Sequence, residues 1–433
     1  MATPSPASAG SGQDSPVGPA VTRWVAVAVA TVWRDPGRPR PVDLPALAAP
    51  AGLREWLSAL DVEARKDLVG RIETQVLLGQ PVTVLEERDG WARVAVPEQA
   101  EPGAPGGYPG WIPGWQLTAD PAWAAVARRA GLAGAPAPEE AAEALTTATV
   151  TALTTWLYHR PHPQARWLEV SFGTCLPVLS YGDGGSGSLA AVLDGSPAAG
   201  GGEAAGGAEG EWLPVAVPTP NPAPGHRAAL TPDAGGGGPA RAATAGPAPG
   251  DPARHRHASG PIELPAAEDG PLAAGPPTVA WVRRAAVRLD PPRRVPPAGQ
   301  ASPAKVPGTA LLETARRFLG LPYLWGGTSG FGVDCSGFVY LVHRFHGLLI
   351  PRDAAPQRDH GDGRPVARDR LQPGDLVFFA HDGGKGSVHH VGMYAGDGRM
   401  IHAPSSGRVV EEIPLDTPPY GEKYAGARRY HAG

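Results

Sequence analysis

Long segments built almost entirely of glycine, alanine and proline interrupt this chain, and they decide which parts of it can fold. Residues 183–210 and 219–277 hold too few large apolar side chains to form a core. Residues 1–21 consist mostly of Ser, Pro, Gly and Ala. The 59 glycines and 52 prolines would place the whole chain near low-complexity sequence, but they are concentrated in these segments. We therefore expect several folded domains alternating with disordered segments.

Residues 22–119 carry short β-rich runs separated by turns, a pattern that predicts a small barrel. Its first run covers residues 24–32. Before the second run lies a set of apolar residues at helical spacing, namely Leu53, Trp56, Leu57 and Leu60. This spacing predicts a helical insertion over residues 52–69. The alanine-rich stretch 120–147 predicts a helical connector.

A second copy of the strand pattern begins near residue 148. Residues 148–156 match residues 25–33 in character, and both runs end in Thr-x-Trp. Later runs echo those of the first barrel in the same order. This internal repeat predicts a second barrel over residues 148–290, interrupted by the two low-complexity segments.

Residues 303–433 are denser in apolar side chains and have a different order of elements. A helix is predicted over residues 308–319, and strands over residues 375–379, 388–395 and 400–402. Helices followed by strands indicate an α+β domain. The expected fold is therefore multidomain, with two small β-barrels followed by an α+β domain.

Charge and hydropathy exclude several classes of function. A net charge of −4 with mixed signs gives no basic surface for nucleic acid, so we expect no nucleic-acid partner. No run approaches 18 apolar residues, and the N-terminus lacks a signal-peptide pattern, so we expect no membrane span and a cytoplasmic location. An extracellular or cell-wall location stays open if the start of the chain is assigned incorrectly. Nothing in the sequence fixes the oligomeric state.

The two cysteines, Cys175 and Cys335, are too few for a disulfide framework, and we expect both to be free thiols. Cys335 follows a glycine-rich loop and begins a helical pattern that runs to residue 348, with Asp334 as a natural N-cap. Unpaired N–H groups in a first helical turn favour a thiolate, so we expect a lowered thiol pKa. The alternative is a small buried apolar residue.

Histidines near the C-terminus could serve this thiol as base and orienting group. A Gly-Asp-Gly turn at residues 396–398 predicts a hairpin, and a three-residue loop would pair Gly392 with His402. His390 then lies on the same face as His402, within contact distance. A two- or four-residue loop would select His389 instead. A three-ligand zinc site is the other possibility, but no CxxC or HExxH spacing supports it, so we expect no metal or cofactor.

Five motifs in this domain, taken in order, are similar to those of the NlpC-type papain-like cysteine peptidases of bacterial cell walls. They are residues 322–327 (PYLWGG), 334–338 (DCSGF), 351–353 (PRD), 371–376 (LQPGDL) and 390–394 (HVGMY). The resemblance covers about 120 C-terminal residues. It implies Cys335 as nucleophile, His390 as base and His402 as the orienting residue.

With two SH3-like barrels in front, the chain resembles the γ-D-glutamyl-L-diamino acid endopeptidases that process free murein peptides. Residues 71–75 and 107–111 carry this closer resemblance. It implies that Glu73 and Tyr108 of the first barrel hold the free amine of the substrate's L-Ala. The implied partner of the D-Glu carboxylate is Arg352, and Tyr323 with the Cys335 backbone N–H would stabilise the oxyanion. The remaining residues assigned to the substrate site are Trp325, Asp334, Ser336 and Asp353. Trp325 could equally be a residue of the hydrophobic core.

The expected function is hydrolysis of the γ-D-glutamyl-L-diamino acid bond, which releases L-Ala-γ-D-Glu from murein peptides. A secreted or wall-associated hydrolase of intact peptidoglycan and a non-catalytic wall-binding protein are the alternatives. Three departures from the family pattern are the low-complexity segments of the second barrel, Ala354 in place of a frequent serine, and a lengthened loop at residues 382–386. The sequence does not fix lysine or diaminopimelate as the third residue of the substrate.

Overall fold

The computed structural model describes residues 21–132, 144–179, 211–221, 277–291 and 306–432. The predicted N-terminal tail, most of the two low-complexity segments and part of the helical connector lie outside these residues.

Seven strands build the first barrel: β1 (Val21–Val25), β2 (Val29–Trp33), β3 (Ile72–Leu77), β4 (Pro81–Arg88), β5 (Trp91–Val96), β6 (Tyr108–Pro113) and β7 (Leu117–Thr118). They form one antiparallel sheet in the order β3-β2-β6-β5-β4-β1-β7 around a core rich in valine. The single strand predicted over residues 24–32 is divided between Val25 and Val29. This division lets β1 pair with β4 and β7 while β2 pairs with β3 and β6.

Three short helices lie between β2 and β3: α1 (Leu44–Leu47), α2 (Leu53–Ala59) and α3 (Val62–Lys66). The helical insertion predicted over residues 52–69 corresponds to α2 and α3, and α1 precedes it. The break comes at Asp61, whose carboxylate caps α3 by accepting from the Ala64 N–H at 2.7 Å. Trp56 is completely buried and donates its indole N–H to Asp43 at 2.8 Å. Helix α4 (Pro121–Arg129) begins the connector that follows the barrel.

The second barrel repeats the strand order of the first, which confirms the internal repeat. Its strands are β8 (Thr147–Val150), β9 (Thr154–Tyr158), β10 (Arg166–Ser171), β11 (Cys175–Pro177), β12 (Trp212–Val217), β13 (Thr278–Arg283) and β14 (Val287–Asp290). They form two sheets, β10-β9-β13-β12 and β11-β8-β14, joined by an isolated bridge between Val178 and Val215.

The C-terminal part is an α+β domain, as predicted. Its elements are α5 (Gly308–Arg316), β15 (Thr328–Ser329), β16 (Gly332–Val333), α6 (Cys335–Phe345), α7 (Ala354–Asp359), β17 (Arg364–Val366), β18 (Leu376–Ala380), β19 (Val388–Gly396), β20 (Arg399–His402), β21 (Glu411–Pro414) and β22 (Tyr424–Arg429). The six longer strands form one antiparallel sheet in the order β17-β22-β18-β19-β20-β21. Helix α6 packs against β19 in the middle of this sheet.

Both barrels are packed against helix α6. Phe172 of the second barrel lies between Phe318 and Phe345, with ring centroids 5.0 and 4.6 Å away. On the same helix, Arg344 contacts Glu98 of the first barrel at 2.6 Å and donates to the Gly173 carbonyl at 3.0 Å. The helix that begins with Cys335 is therefore held by all three parts of the chain.

Candidate active site

Cys335 is the first residue of α6, and Asp334 caps the helix as predicted. The Asp334 carboxylate accepts from the Gly337 N–H at 2.6 Å and from the Gly326 N–H at 2.9 Å. Because the buried face of α6 carries Phe338, Leu341 and Val342, the helix start is fixed relative to the sheet. The sulfur therefore has a fixed position at the junction of the glycine-rich loop and the helix.

The predicted lowering of the Cys335 pKa is wrong for this arrangement. Burial, and then the negative charge of Asp334, raise the pKa of the Cys335 thiol to about 12. The backbone N–H groups of Val391 and Ser336 lower it, but by less. Burial and the capping carboxylate thus outweigh these N–H groups, so the thiol needs a base to give up its proton.

The predicted contact between His390 and His402 is confirmed, because Nε2 of His390 lies 2.8 Å from Nδ1 of His402. The hairpin loop has two residues, with Gly396 opposite Arg399, but a bulge then shifts the register so that Met393 faces Ile401. This shift restores the face that a three-residue loop would have given. His389 points elsewhere, and its ring lies 4.3 Å from that of His381.

Both rings of this histidine pair are buried and neutral at neutral pH. Burial, and then interaction with His402 and His389, lower the pKa of His390 well below its usual value. Burial and the positive charge of Arg408 lower the pKa of His402 to about 4. His390 is therefore unprotonated and able to accept a proton through Nδ1, the nitrogen that does not face His402.

Two tyrosines border the thiol and the histidine pair. Tyr323 is 7% exposed, and burial together with the charges of Cys335 and Asp334 raises its pKa well above its usual value. Its hydroxyl therefore stays protonated and can donate a hydrogen bond. The Tyr420 ring lies 5.4 Å from that of His390 and 4.8 Å from that of His402.

Arg352 does not face the substrate as the sequence predicted. Its guanidinium is 1% exposed and donates to both Asp334 oxygens, at 2.7 and 3.1 Å. It also donates to Ser336 at 3.0 Å and to Thr74 of the first barrel at 2.9 Å. With these partners in place, the guanidinium is not free for the predicted contact with the D-Glu carboxylate. Arg352 instead fixes Asp334 and Ser336, and the 42% exposed carboxylate of Asp353 is the more accessible group.

The first barrel brings Glu73 and Tyr108 next to this cluster. Tyr108 donates its hydroxyl to Asp353 at 2.8 Å. Burial, and the nearby carboxylate of Asp353, raise the pKa of Glu73, whereas its ion pair with Arg34 at 2.9 Å opposes that effect. The two residues assigned to the amine of the substrate are thus close to Asp353, another residue assigned to the substrate site.

Trp325 lies at the junction with the first barrel rather than in the core. It is 36% exposed and donates its indole N–H to the Ile72 carbonyl at 3.2 Å. The next residue, Gly326, has a φ of 70°, and a Cβ there would lie 2.6 Å from the Ile72 side chain. Strand β3 also contacts the glycine-rich loop through Gln75, whose carbonyl accepts from the Thr328 hydroxyl at 2.9 Å.

Both cysteines are free thiols, as predicted. Within the described parts of the chain, no three His, Cys, Asp or Glu side chains are arranged to hold a metal ion. No helix in those parts is long and apolar enough to cross a bilayer.

Comparison with known proteins agrees with two barrels followed by an α+β domain. The NlpC/P60 family matches residues 320–429, a bacterial dipeptidyl-peptidase SH3 domain matches residues 69–117, and a YkfC SH3b2 domain matches residues 150–184. A γ-D-glutamyl-L-lysine dipeptidyl-peptidase of Bacillus cereus is 34% identical over 94% of this chain and 90% of its own length. The chain belongs to the NlpC/P60 family.

Two further similarities cover a part of the chain and nearly all of it. A γ-D-glutamyl-L-lysine dipeptidyl-peptidase of Bacillus subtilis is 48% identical over 28% of this chain and 41% of its own length. The crystal structure of an NlpC/P60 family protein from Bacillus cereus covers 94% of this chain and 99% of that chain, with 32% identity and a TM-score of 0.65. The two barrels and the NlpC/P60 domain thus occur together in a solved structure.

Sequence reasoning missed three charged residues around the NlpC/P60 site. Arg34 pairs with Glu73, and Glu411 lies 3.3 Å from Nε2 of His402 while its carboxylate also binds Arg408. Glu411 could have been found by continuing the hairpin register into the next strand, where it falls opposite His402. The sequence around Arg34 did not indicate its contact with Glu73, because that contact depends on the pairing of β2 with β3, two strands that are far apart in the sequence.

Proposed function

We propose that this chain is a cysteine endopeptidase that hydrolyses the γ-D-glutamyl-L-diamino acid bond of peptidoglycan peptides whose N-terminal L-Ala is free. The hydrogen bond between Tyr108 and Asp353 carries this proposal, because it joins the amine-binding side of the first barrel to the NlpC/P60 domain. The names of the two Bacillus relatives support the same bond and a dipeptide product.

Substrate selection begins with the ammonium group of L-Ala. Glu73 supplies a carboxylate and Tyr108 a hydroxyl oxygen, the two kinds of partner that an ammonium needs in a partly dry pocket. A stem peptide whose L-Ala is joined to muramic acid has an amide there, with no charge to pair with Glu73. We therefore propose free peptides rather than intact wall as the substrate.

Bond cleavage follows from the neutral thiol and imidazole of the resting site. His390 takes the proton of Cys335 through Nδ1 as the sulfur bonds to the γ-carbonyl carbon of D-Glu. The Tyr323 hydroxyl and the Cys335 backbone N–H donate to the oxyanion that forms. His390 then protonates the leaving amine of the diamino acid, and a water deprotonated by the same ring hydrolyses the thioester. L-Ala-γ-D-Glu and the restored thiol are the products.

No step of this proposal uses a metal or cofactor. The cytoplasmic location and the lack of a nucleic-acid partner stay predictions of the sequence.

The bond that is cut can be identified by mass spectrometry of the products from L-Ala-γ-D-Glu-L-Lys and its diaminopimelate counterpart. We expect L-Ala-γ-D-Glu and the free diamino acid from the wild type, and a loss of at least ~1000-fold in kcat for Cys335→Ala. Cys175→Ala is the matched control, because Cys175 lies in the second barrel, and it should retain wild-type turnover. Cleavage at the L-Ala-D-Glu bond, or full activity of Cys335→Ala, would contradict the proposal.

A further inference from the structure

His402 has one ring nitrogen that plays no part in holding His390. Its Nδ1 faces His390, whereas its Nε2 is buried and makes no aligned hydrogen bond within the described residues. The carboxylate of Glu411 lies close to it, with Oε1 3.3 Å from Nε2. The His402 side chain is completely buried, so water does not reach this nitrogen from the surface.

Strand pairing places Glu411 at this position. Strands β20 and β21 are antiparallel, and His402 is directly opposite Glu411. Directly opposite residues of two paired strands share one face of the sheet. The next residue, Glu412, faces the other way and pairs with Arg399 at 3.0 Å. Glu411 is therefore the carboxylate that the sheet aims at the histidine pair.

The chemistry of the histidine pair requires one particular tautomer of His402. When His390 accepts the thiol proton it carries a proton on each ring nitrogen, and its Nε2–H points at Nδ1 of His402. That Nδ1 must then be an acceptor. A neutral His402 consequently carries its own proton on Nε2, and this N–H needs an acceptor in a buried site. A carboxylate at 3.3 Å is suited to that task.

We propose that Glu411 is a positioning residue of the NlpC/P60 site, which accepts from His402 Nε2–H and so keeps His402 Nδ1 free to accept from His390. Arg408 binds both oxygens of Glu411, at 2.6 and 2.9 Å, and holds the carboxylate in place. The titratable and charged groups that face His402 are His390 from β19, Glu411 from β21, and Arg408 and Tyr420 from the neighbouring loops. The inference rests on the Cys335, His390 and His402 set of the proposed function and not on the identity of the peptide.

Glu411 and Arg408 carry opposite charges, so we expect them to have opposite effects on the thiolate population of Cys335. A carboxylate close to the pair, such as that of Glu411, stabilises the protonated His390 imidazole that forms when Cys335 ionises. The positive charge of Arg408 lowers the pKa of His402 and acts against a positive charge on the pair. Removal of Glu411 leaves Arg408 alone beside the pair and lowers the thiolate population. Removal of Arg408 leaves the carboxylate unopposed and raises that population.

The test is the rate at which iodoacetamide alkylates Cys335 at pH 7, followed by mass spectrometry of the peptide that contains Cys335. This reaction reports the thiolate without any peptide substrate. We expect a roughly tenfold slower reaction for Glu411→Ala and a smaller decrease for Glu411→Gln, which keeps an acceptor and loses the charge. Arg408→Gln should react about two- to threefold faster. Glu412→Gln, the control on the same strand, should match the wild type.

Wild-type alkylation rates in both Glu411 variants would overturn the proposal. A decrease in Arg408→Gln similar to that in Glu411→Gln would also overturn it, because a merely structural contact would lower the rate in both. Glu411→Gln has nearly the same shape as the native residue, so it provides the test even where Glu411→Ala fails to fold. Wild-type protein that alkylates as expected but leaves the tripeptide uncut would contradict the proposed function alone.

Discussion

Arg34 forms an ion pair with Glu73, the residue whose carboxylate we propose binds the substrate amine. Its guanidinium lies 2.9 Å from Glu73, and the Arg34 side chain is 58% exposed whereas that of Glu73 is 23% exposed. An ammonium group that binds Glu73 must share this carboxylate or displace the arginine. Since exposed ion pairs contribute little to stability, displacement costs little, and Arg34 acts as a weak competitor for the pocket.

At the scale of this residue, we predict that Arg34→Gln lowers KM for L-Ala-γ-D-Glu-L-Lys at pH 8 by about two- to fivefold and leaves kcat unchanged. The gain should shrink as the pH falls, because without Arg34 burial and Asp353 raise the pKa of Glu73 further and its carboxylate is neutralised earlier. Steady-state kinetics between pH 6 and 8 measure both effects. Arg93→Gln, on an exposed position of β5, is the control. A higher KM in Arg34→Gln would show that Arg34 assists binding.

Among the elements, the hairpin of β19 and β20 shows what the sequence could predict about the site. Alternation along two strands placed His390 and His402 on one face only for a three-residue loop. The hairpin has a two-residue loop, and the bulge beside it restores that face. The sequence also predicted correctly that a helix begins at Cys335 with Asp334 as its N-cap. The raised pKa of the Cys335 thiol and the buried position of Arg352 could not be predicted from the sequence, because both depend on atoms that come together only in the folded site.

The start of α6 depends on one carboxylate for two tasks, since Asp334 caps the helix and pairs with the buried Arg352. We predict that Asp334→Asn lowers the free energy of unfolding by about 3 kcal/mol, because it removes the carboxylate in close contact with the buried Arg352 guanidinium and leaves only Asp353, 3.6 Å away, as a counter-charge. Asp120→Asn is the matched control, since Asp120 caps α4 without a buried arginine and should cost about 1 kcal/mol or less. Urea denaturation of the full chain measures both. Equal losses would mean that the ion pair with Arg352 contributes nothing.

Buried polar contacts join the first barrel to helix α6 and to Arg352. Arg344 and Glu98 are almost completely buried, and the Tyr340 hydroxyl donates to the Glu98 carbonyl at 3.1 Å. Thr74 and Ala100 of the first barrel contact Arg352. These contacts join residues more than 200 positions apart, so local sequence patterns could predict each domain but not its docking. The docking is what places Glu73 and Tyr108 beside the site.

At the scale of the whole molecule, we propose that the first barrel selects peptides by their free amine. The most direct measurement is the ratio of kcat/KM for L-Ala-γ-D-Glu-L-Lys to that for its N-acetyl form, in the wild type and in Glu73→Gln. We predict a ratio of about 100 or more for the wild type and a fall of at least about tenfold in Glu73→Gln, through loss of activity on the free peptide alone. Glu86→Gln, on an exposed position of β4, should keep the wild-type ratio. A wild-type enzyme that cleaves the two peptides equally well would contradict the claim.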